Sequence, residues 1–204
     1  MEAMYKEIQK FLKEYNVGSS NPALTNGLPS NPTDFKWDSS LMGTGIEISM
    51  NGKFLFLRES SYMFRSCVSD KPFNSGVHYW EIHADDRTEN ELKIGVTKSR
   101  DFNLNSAFCD NEFGYGYYGL GQLRHGSNAA GPNYGKRFKK EGYLGVLLDM
   151  DRGYLGFSLN GNSMGIAFTD EELKVGPIWA AVSLLHCAGC KLVTGKPVPE
   201  HFTI

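Results

Sequence analysis

The chain has 204 residues, of which 41% are hydrophobic and 22% are charged, and its formal net charge at pH 7 is −2. Such a length and composition suit one globular domain and argue against a largely disordered chain. The near-neutral charge argues against nucleic-acid binding, because that surface needs clustered Lys and Arg. The longest apolar-looking stretch, residues 175–190, contains Pro177 and His186 and is too short to cross a membrane. The four cysteines and the charged N-terminus, which is not a secretory signal, predict a reducing, cytoplasmic location.

The first part of the chain has helical periodicity. Apolar residues recur on one face of a helix at Met4, Ile8, Phe11 and Tyr15. This spacing predicts a short amphipathic helix over residues 3–16, which packs on the domain or forms the end of a coiled coil, although two heptads are too few to assign one. We assign residues 1–17 to this helix, residues 18–33, rich in Gly, Ser, Asn and Pro, to a linker, and residues 34–204 to one domain.

From Phe35 onward the sequence is typical of short strands joined by tight turns. Asn51-Gly52 and Asn160-Gly161 each lie between apolar runs, and this pair of residues predicts a hairpin because both adopt positive φ. No long helical segment separates the strand candidates, so the pattern predicts an antiparallel sandwich or barrel. The further strand candidates are VHYWEI, LKIGV, YLGVLLDM, IWAAVSLL and KLVTG.

The segment GVHYWEI, residues 76–82, combines imidazole, aromatic and carboxylate side chains, as an active site would. Strand alternation places His78 on the face of Trp80, and Glu81 on the opposite face. His78 and Glu81 therefore cannot form an acid–base pair within the strand, and His83, on the face of Glu81, has no nucleophile nearby. We expect a structural strand with Trp80 as a core anchor.

Two other motifs have the spacing of known sites without their context. Gly114, Gly116 and Gly119 match a dinucleotide-binding pattern, but no helix follows, so we expect these glycines to allow tight turns beside the neighbouring tyrosines. Cys187 and Cys190 have C-x-x-C spacing but no second pair of ligands, and they indicate a turn between two strands.

Closely spaced carboxylates occur in LLDMDRG, at Asp149 and Asp151. They match neither a calcium loop nor the three-acid pattern of some β-sandwich glycosidases, because no third acid follows at residues 152–154. They indicate a charged strand end that leads into a glycine turn. The sequence therefore predicts no catalytic residue, no metal and no cofactor.

Five blocks of the chain resemble the SPRY domain family in order and approximate spacing. Tyr134-Gly135 before KRFKKEG also fits, and residues 46–76 resemble the PRY half of the longer B30.2 form, so the resemblance covers residues 35 to about 200. Gly142-Tyr143 replaces the family's frequent Gly-Asp, and FKWDSS replaces its usual Leu-Asp-Pro, which leaves the subfamily open. The five blocks are GVHYWEI, KIGVTKSRDF, GYGYYGLGQLRHGSN, YLGVLLDMDRGYLGFSLNGNSMGIAF and IWAAVSLLHCAGCKL.

The resemblance implies an all-β fold, a bent antiparallel two-sheet β-sandwich of the concanavalin-like type, without catalytic machinery. It also implies a protein-interaction module, in many members the substrate-recruiting part of a ubiquitin ligase, that binds a short peptide or protein surface through loops at one end. By position, the family's peptide-binding loops fall at residues 58–62, around Phe108 and at residues 185–187. Other aromatic candidates are added because such side chains dominate binding hot spots. The candidate partner-binding residues are Arg58, Tyr62, Phe108, Tyr117, Tyr118, His125, Leu185 and His186.

Two alternatives stay open. Carbohydrate-binding sandwiches share the strand pattern and the aromatic content, so a lectin-like function is the main alternative, although metal-loop ligands and a third acid are missing. A purely structural role would use the N-terminal helix for assembly. The sequence does not determine the partner or the oligomeric state.

Overall fold

The computed structural model describes residues 33–58, 60 and 62–202. The predicted helix at residues 1–17, and all of the predicted linker except Thr33, lie outside this described part. Within it, thirteen strands form one six-stranded and one seven-stranded sheet, and every pairing is antiparallel. The prediction of an all-β antiparallel two-sheet sandwich is confirmed. None of the described helical segments is both long and apolar enough to span a membrane.

The strand order of each sheet shows how the chain crosses between them. The six-stranded sheet has the order β1-β4-β12-β6-β7-β8, and the seven-stranded sheet has the order β11-β10-β9-β5-β13-β3-β2. In chain order the strands are β1 (Trp37–Met42), β2 (Ile46–Ser49), β3 (Phe54–Leu57), β4 (Arg65–Ser69), β5 (Val77–Ala84), β6 (Leu92–Thr97), β7 (Gly114–Tyr118), β8 (Gln122–His125), β9 (Tyr143–Asp149), β10 (Tyr154–Leu159), β11 (Asn162–Thr169), β12 (Trp179–Leu184) and β13 (Gly189–Val193).

Both Asn-Gly pairs lie in the turns that the sequence predicts. Asn160 and Gly161 join β10 to β11 with φ of 49° and 78°, and Asn51 and Gly52 join β2 to β3 with φ of 55° and 83°. These left-handed conformations match the right-handed twist of paired strands, and Asn and Gly adopt them at the least cost.

Aromatic side chains fill the space between the two sheets. Trp80 is 1% exposed, and its ring stacks on Phe73 at a centroid distance of 5.3 Å and meets the edge of Phe35 at 5.7 Å. Such pairs contribute roughly 0.5–1.5 kcal/mol each beyond the burial of their apolar area. Trp80 is therefore the core anchor that the alternation of GVHYWEI predicts.

The outer face of the six-stranded sheet is covered by the long β6–β7 connection, residues 98–113. A Cβ atom on Gly114 would lie 2.1 Å from the carbonyl oxygen of Phe108, and one on Gly116 would lie 3.1 Å from the Phe108 ring. Glycine in the strand thus allows the connection to pack directly on β7. The prediction of tight turns was wrong for Gly114 and Gly116, which lie within β7, and only Gly119 lies in the turn that follows.

Buried serine hydroxyls fix this connection to the sheet. Ser66 Oγ donates to the carbonyl oxygen of Ser106 at 2.6 Å, so its hydrogen bond with Ser183 Oγ, at 2.8 Å, is donated by Ser183. Ser183 Oγ in turn accepts from the amide of Phe108 at 3.1 Å. Both serines are 0% exposed and both are satisfied, so the network holds the connection in one position.

Gly114→Ala should destabilise the domain, because the added methyl group collides with the Phe108 carbonyl oxygen. We expect the free energy of unfolding, measured by urea denaturation, to fall by about 1–3 kcal/mol. Gly156→Ala is the matched control in β10, since the nearest atom to its Cβ would be 3.1 Å away and the others at least 3.8 Å. Equal losses in the two variants would contradict the close packing of the connection on β7.

Candidate partner-binding site

The pairing of β12 brings several connections together at one end of the sandwich. Leu184, the last residue of β12, lies opposite Arg65, the first residue of β4, and opposite Leu92, the first residue of β6. The chain segments before β4, before β6 and after β12 therefore meet there. The amide of Leu185 donates to the carbonyl oxygen of Glu91 at 3.1 Å, which joins two of these segments directly.

The most exposed aromatic side chain at this end is Tyr62, which is 88% exposed. Its ring meets the ring of His186 edge-on, with centroids 5.1 Å apart and an interplanar angle of 87°. His186 has a φ of 53°, a left-handed conformation in the turn after β12, and Met63 beside Tyr62 is 60% exposed. Adjacent exposed apolar side chains on loops are typical of contact surfaces, so this pair of loops is the first candidate for one.

Arg58 lies next to the same turn. The amide of Leu57 donates to the carbonyl oxygen of Ala188 at 3.0 Å, which places Arg58 at the edge of the turn. The Arg58 guanidinium is 75% exposed and pairs with Glu47. An exposed ion pair of this kind contributes little to stability, so the guanidinium can exchange Glu47 for a group on a partner at little cost.

Below these loops, cations and aromatic rings alternate on the outer face of the six-stranded sheet. Lys93 Nζ lies 4.3 Å from the ring centroid of Phe64 and 5.6 Å from that of Tyr118, and the guanidinium of Arg124 lies 5.2 Å from Tyr118. Lys93 is 3% exposed and donates to Asp110 at 2.7 Å. Tyr118 is half-buried, and burial raises its pKa. Phe64, from the segment before β4, meets the edge of the Tyr118 ring at 5.7 Å and so joins that segment to the row.

The structure places three of the sequence candidates away from this surface. Phe108 and Tyr117 are both 0% exposed: Phe108 packs on the glycines of β7, and the hydroxyl of Tyr117 donates to the carbonyl oxygen of Lys136 inside the domain. Neither side chain is accessible to a partner, so both are corrected to structural residues. His125 is at the far end of β8, three residues from Gln122 and so about 10 Å along the strand.

Arg58, Tyr62, Leu185 and His186 therefore gather at one end of the sandwich, with Tyr118 in the layer below them. Sequence reasoning missed Met63, although an exposed methionine directly after Tyr62 in a predicted loop was a visible signal. It also missed the contacts of Lys93 and Arg124 with the ring of Tyr118. These two cations are far apart in sequence, and only the pairing of the strands brings both to that ring.

The other sequence motifs are structural. Cys187 lies in the turn from β12 to β13, as predicted, whereas Cys190 lies within β13 and is buried. Burial raises the pKa of the Cys190 thiol to about 12, so it is not a reactive thiolate. In the part of the chain that the structure describes, no group of His, Cys, Asp or Glu side chains could hold a metal ion.

Glu81 is the centre of a buried polar cluster on the outer face of the seven-stranded sheet. Its carboxylate accepts from Tyr79 Oη at 3.0 Å, and both His83 Nε2 at 2.7 Å and Lys196 Nζ at 2.8 Å contact its second oxygen. Burial alone would raise the pKa of Glu81, but the hydrogen bonds from His83, Lys196 and Tyr79 outweigh it and lower the pKa to about 2. Through Lys196 the cluster fastens the segment after β13 to the sheet, which is a structural role.

Comparison with known proteins agrees with this architecture. A family model described as the SPRY domain matches residues 77–197. ATP-dependent RNA helicase DDX1 of Xenopus laevis is 31% identical over 106 residues, which are 52% of this chain and 13% of that protein. SPRY domain-containing SOCS box protein 3 of Xenopus tropicalis is 29% identical over 159 residues, which are 72% of this chain and 43% of that protein. The chain thus spans less than half the length of these curated relatives.

Two solved structures have the same fold. The SPRY domain of human HERC1 has a TM-score of 0.62 at 18% identity and covers 78% of this chain and 97% of that one. The TRIM65 PSpry domain has a TM-score of 0.61 at 17% identity, and the match covers 84% of this chain and 98% of that one. The fold and its gathered loops define an antiparallel sandwich of the kind that serves as a protein-interaction module. With the family model matching more than half of its length, the chain belongs to the SPRY domain family.

Glu81→Gln should change how stability depends on pH. Because the folded pKa of about 2 is below the ordinary pKa of 4.5 for a glutamate carboxyl, the ionised carboxylate stabilises the fold above pH 4.5, and this stabilisation is lost as pH falls toward 2. Between about pH 5 and 2, wild type should lose on the order of 2–3 kcal/mol more unfolding free energy than Glu81→Gln in urea titrations. The exposed Glu112→Gln should follow wild type, and parallel curves for wild type and Glu81→Gln would refute the role of the cluster.

Proposed function

We propose that this domain binds a protein partner by accepting a short peptide segment on the loop patch, which we define as Arg58, Tyr62, Met63, Leu185 and His186. The observation that carries the proposal is the edge-on contact between the 88%-exposed Tyr62 and His186, which joins two loops into one apolar surface. Its composition, with Tyr, Met and Arg together, is that of binding hot spots.

The support under the loop patch favours tight binding of a short segment. The Leu185 amide donates to the carbonyl oxygen of Glu91 and the Leu57 amide to that of Ala188, so the chain is hydrogen-bonded to neighbouring segments at these two residues beside the patch. Pre-organised loops lose less conformational entropy on binding, which leaves more of the contact energy as affinity. The exposed guanidinium of Arg58 adds a donor for a carboxylate or a peptide carbonyl on the partner.

The wider role proposed for the chain is recruitment. The similarity to SPRY domain-containing SOCS box protein 3 supports a substrate- or partner-recruiting domain of a ubiquitin-ligase-type or other multidomain regulator, acting in the cytoplasm without catalytic residues of its own. In this proposal residues 34–204 form the recruiting domain. The proposed partner is a protein or short peptide rather than a nucleic acid or a membrane.

A peptide-display selection against the full chain tests the proposal. The selected peptides should share a short motif, and Tyr62→Ala, His186→Ala and Arg58→Ala should each weaken binding by about 1 kcal/mol or more, which is roughly five- to tenfold in Kd by fluorescence anisotropy. Tyr62→Ala and Arg58→Ala remove mostly exposed atoms, so their unfolding free energy should stay within about 0.5 kcal/mol of wild type. Because His186 is partly buried, the stability of His186→Ala is measured by urea denaturation alongside its binding.

Met63→Ala and Met50→Ala are a matched pair for the same assay. Met63 and Met50 are 60% and 62% exposed, but only Met63 belongs to the loop patch. We expect Met63→Ala to weaken peptide binding at least threefold, and Met50→Ala to leave Kd unchanged. A shared motif whose affinity none of the loop-patch substitutions alters would show that the peptide site lies elsewhere on the domain.

A further inference from the structure

A second concave site lies on the flank of the sandwich, where β8 at the edge of one sheet meets β11 at the edge of the other. It is separate from the loop patch, and its cavity has a volume of about 260 Å³. Small-molecule sites usually enclose roughly 300–1,000 Å³, so this cavity has the size for one or two amino-acid side chains. Its main lining residues are Leu123, Arg124, His125, Ala130, Pro132 and Phe168.

Arg124 gives this cavity a buried positive charge. The residue is 7% exposed, and its guanidinium donates to two uncharged acceptors, the carbonyl oxygen of Leu123 at 3.0 Å and the side-chain oxygen of Gln122 at 2.6 Å. Its Nε has no hydrogen-bond partner, and no carboxylate in the described residues forms an ion pair with it. Buried cations in proteins are usually paired, so Arg124 is an exception that calls for a negative partner.

Its neighbours on the sheet do not supply that partner. The carboxylate of Asp110 on this face accepts from Lys93 at 2.7 Å and forms no ion pair with Arg124. The ring of Tyr118 stacks on the guanidinium, which stabilises a cation without neutralising it. One positive charge is therefore left without a counter-charge beside the cavity.

His125 forms the rim and is held rigidly. Its ring stacks on Tyr115 with centroids 4.1 Å apart, and its Nδ1 lies 2.8 Å from the carbonyl oxygen of Gly114. A carbonyl oxygen only accepts, so Nδ1 carries the proton, and the tautomer and ring orientation are both fixed. Phe168 from β11 meets the same ring edge-on at 6.3 Å and closes the apolar side of the cavity.

From the single uncompensated cation and the apolar lining we infer that this cavity binds an acidic residue of a partner protein, with its carboxylate on Arg124 and an adjacent apolar side chain against Leu123 and Phe168. One guanidinium balances a monoanion and can bind it through two parallel hydrogen bonds, whereas a multiply charged phosphate would need further cations. The site is independent of the loop patch and would give a partner a second point of attachment.

Heteronuclear NMR titration of the full ¹⁵N-labelled chain with two dipeptides tests the inference. The probes are acetyl-Glu-Leu-amide and acetyl-Gln-Leu-amide, which differ only in the carboxylate. The Glu peptide should shift the amide signals of Leu123, His125 and Phe168, and the Gln peptide should bind at least tenfold more weakly. Equal affinities, or shifts that lie elsewhere on the domain, would overturn the inference.

Two variants and one control complete the test. Arg124→Gln removes the charge and should weaken binding of the Glu peptide at least tenfold. Ala130→Phe fills the cavity from its exposed rim and leaves Arg124 in place, so it decides the question even if Arg124→Gln does not fold. Arg152→Gln, at a half-exposed arginine elsewhere, should bind the Glu peptide as wild type does. Unchanged binding by Ala130→Phe, or equal binding of acetate and the Glu peptide, would contradict the site.

Discussion

The antiparallel pairing of β12 between β4 and β6 is the constraint on which the loop patch depends. Because Leu184 ends β12 opposite the first residues of both neighbouring strands, the connections that carry Tyr62, Glu91 and His186 must meet at one end of the sheet. The backbone hydrogen bonds of β12 with β4 and β6 are enough to bring these connections to the same end of the sheet. The ring contact between Tyr62 and His186 lies at that end of the sheet.

The second constraint is the lack of side chains at Gly114 and Gly116 on the outer face of the same sheet. Gly114 and Gly116 let the β6–β7 connection lie against β7, and Ser66 and Ser183 fix it there through buried hydrogen bonds. With that face covered, the two binding surfaces that we propose lie at the end of the sheet and at its β8 edge. The loop patch lies on connections that begin or end at sheet strands, and the Arg124 cavity combines residues of β8 and β11 with the connection after β8.

Sequence reasoning predicted the parts that depend on local pattern. Period-two alternation identified Trp80 as a core residue, and positive φ at Asn160 and Gly161 followed from turn chemistry. The resemblance placed a peptide-binding loop around Phe108, but in this chain the β6–β7 connection lies flat on the sheet, so Phe108 is buried against the glycines of β7. Nor does sequence spacing show that no carboxylate of the described residues pairs with Arg124, because its neighbours come from other strands, and Asp110 on the same face is bonded to Lys93.

The most direct test of this account is a crystal structure of the domain with a peptide obtained by display selection. We predict that the peptide lies across the end of the six-stranded sheet and contacts Tyr62 and His186, with Arg58 turned from Glu47 toward the ligand. A peptide paired along the exposed edge of β11, or seated at the opposite end of the sandwich, would contradict the claim that strand register builds the binding surface.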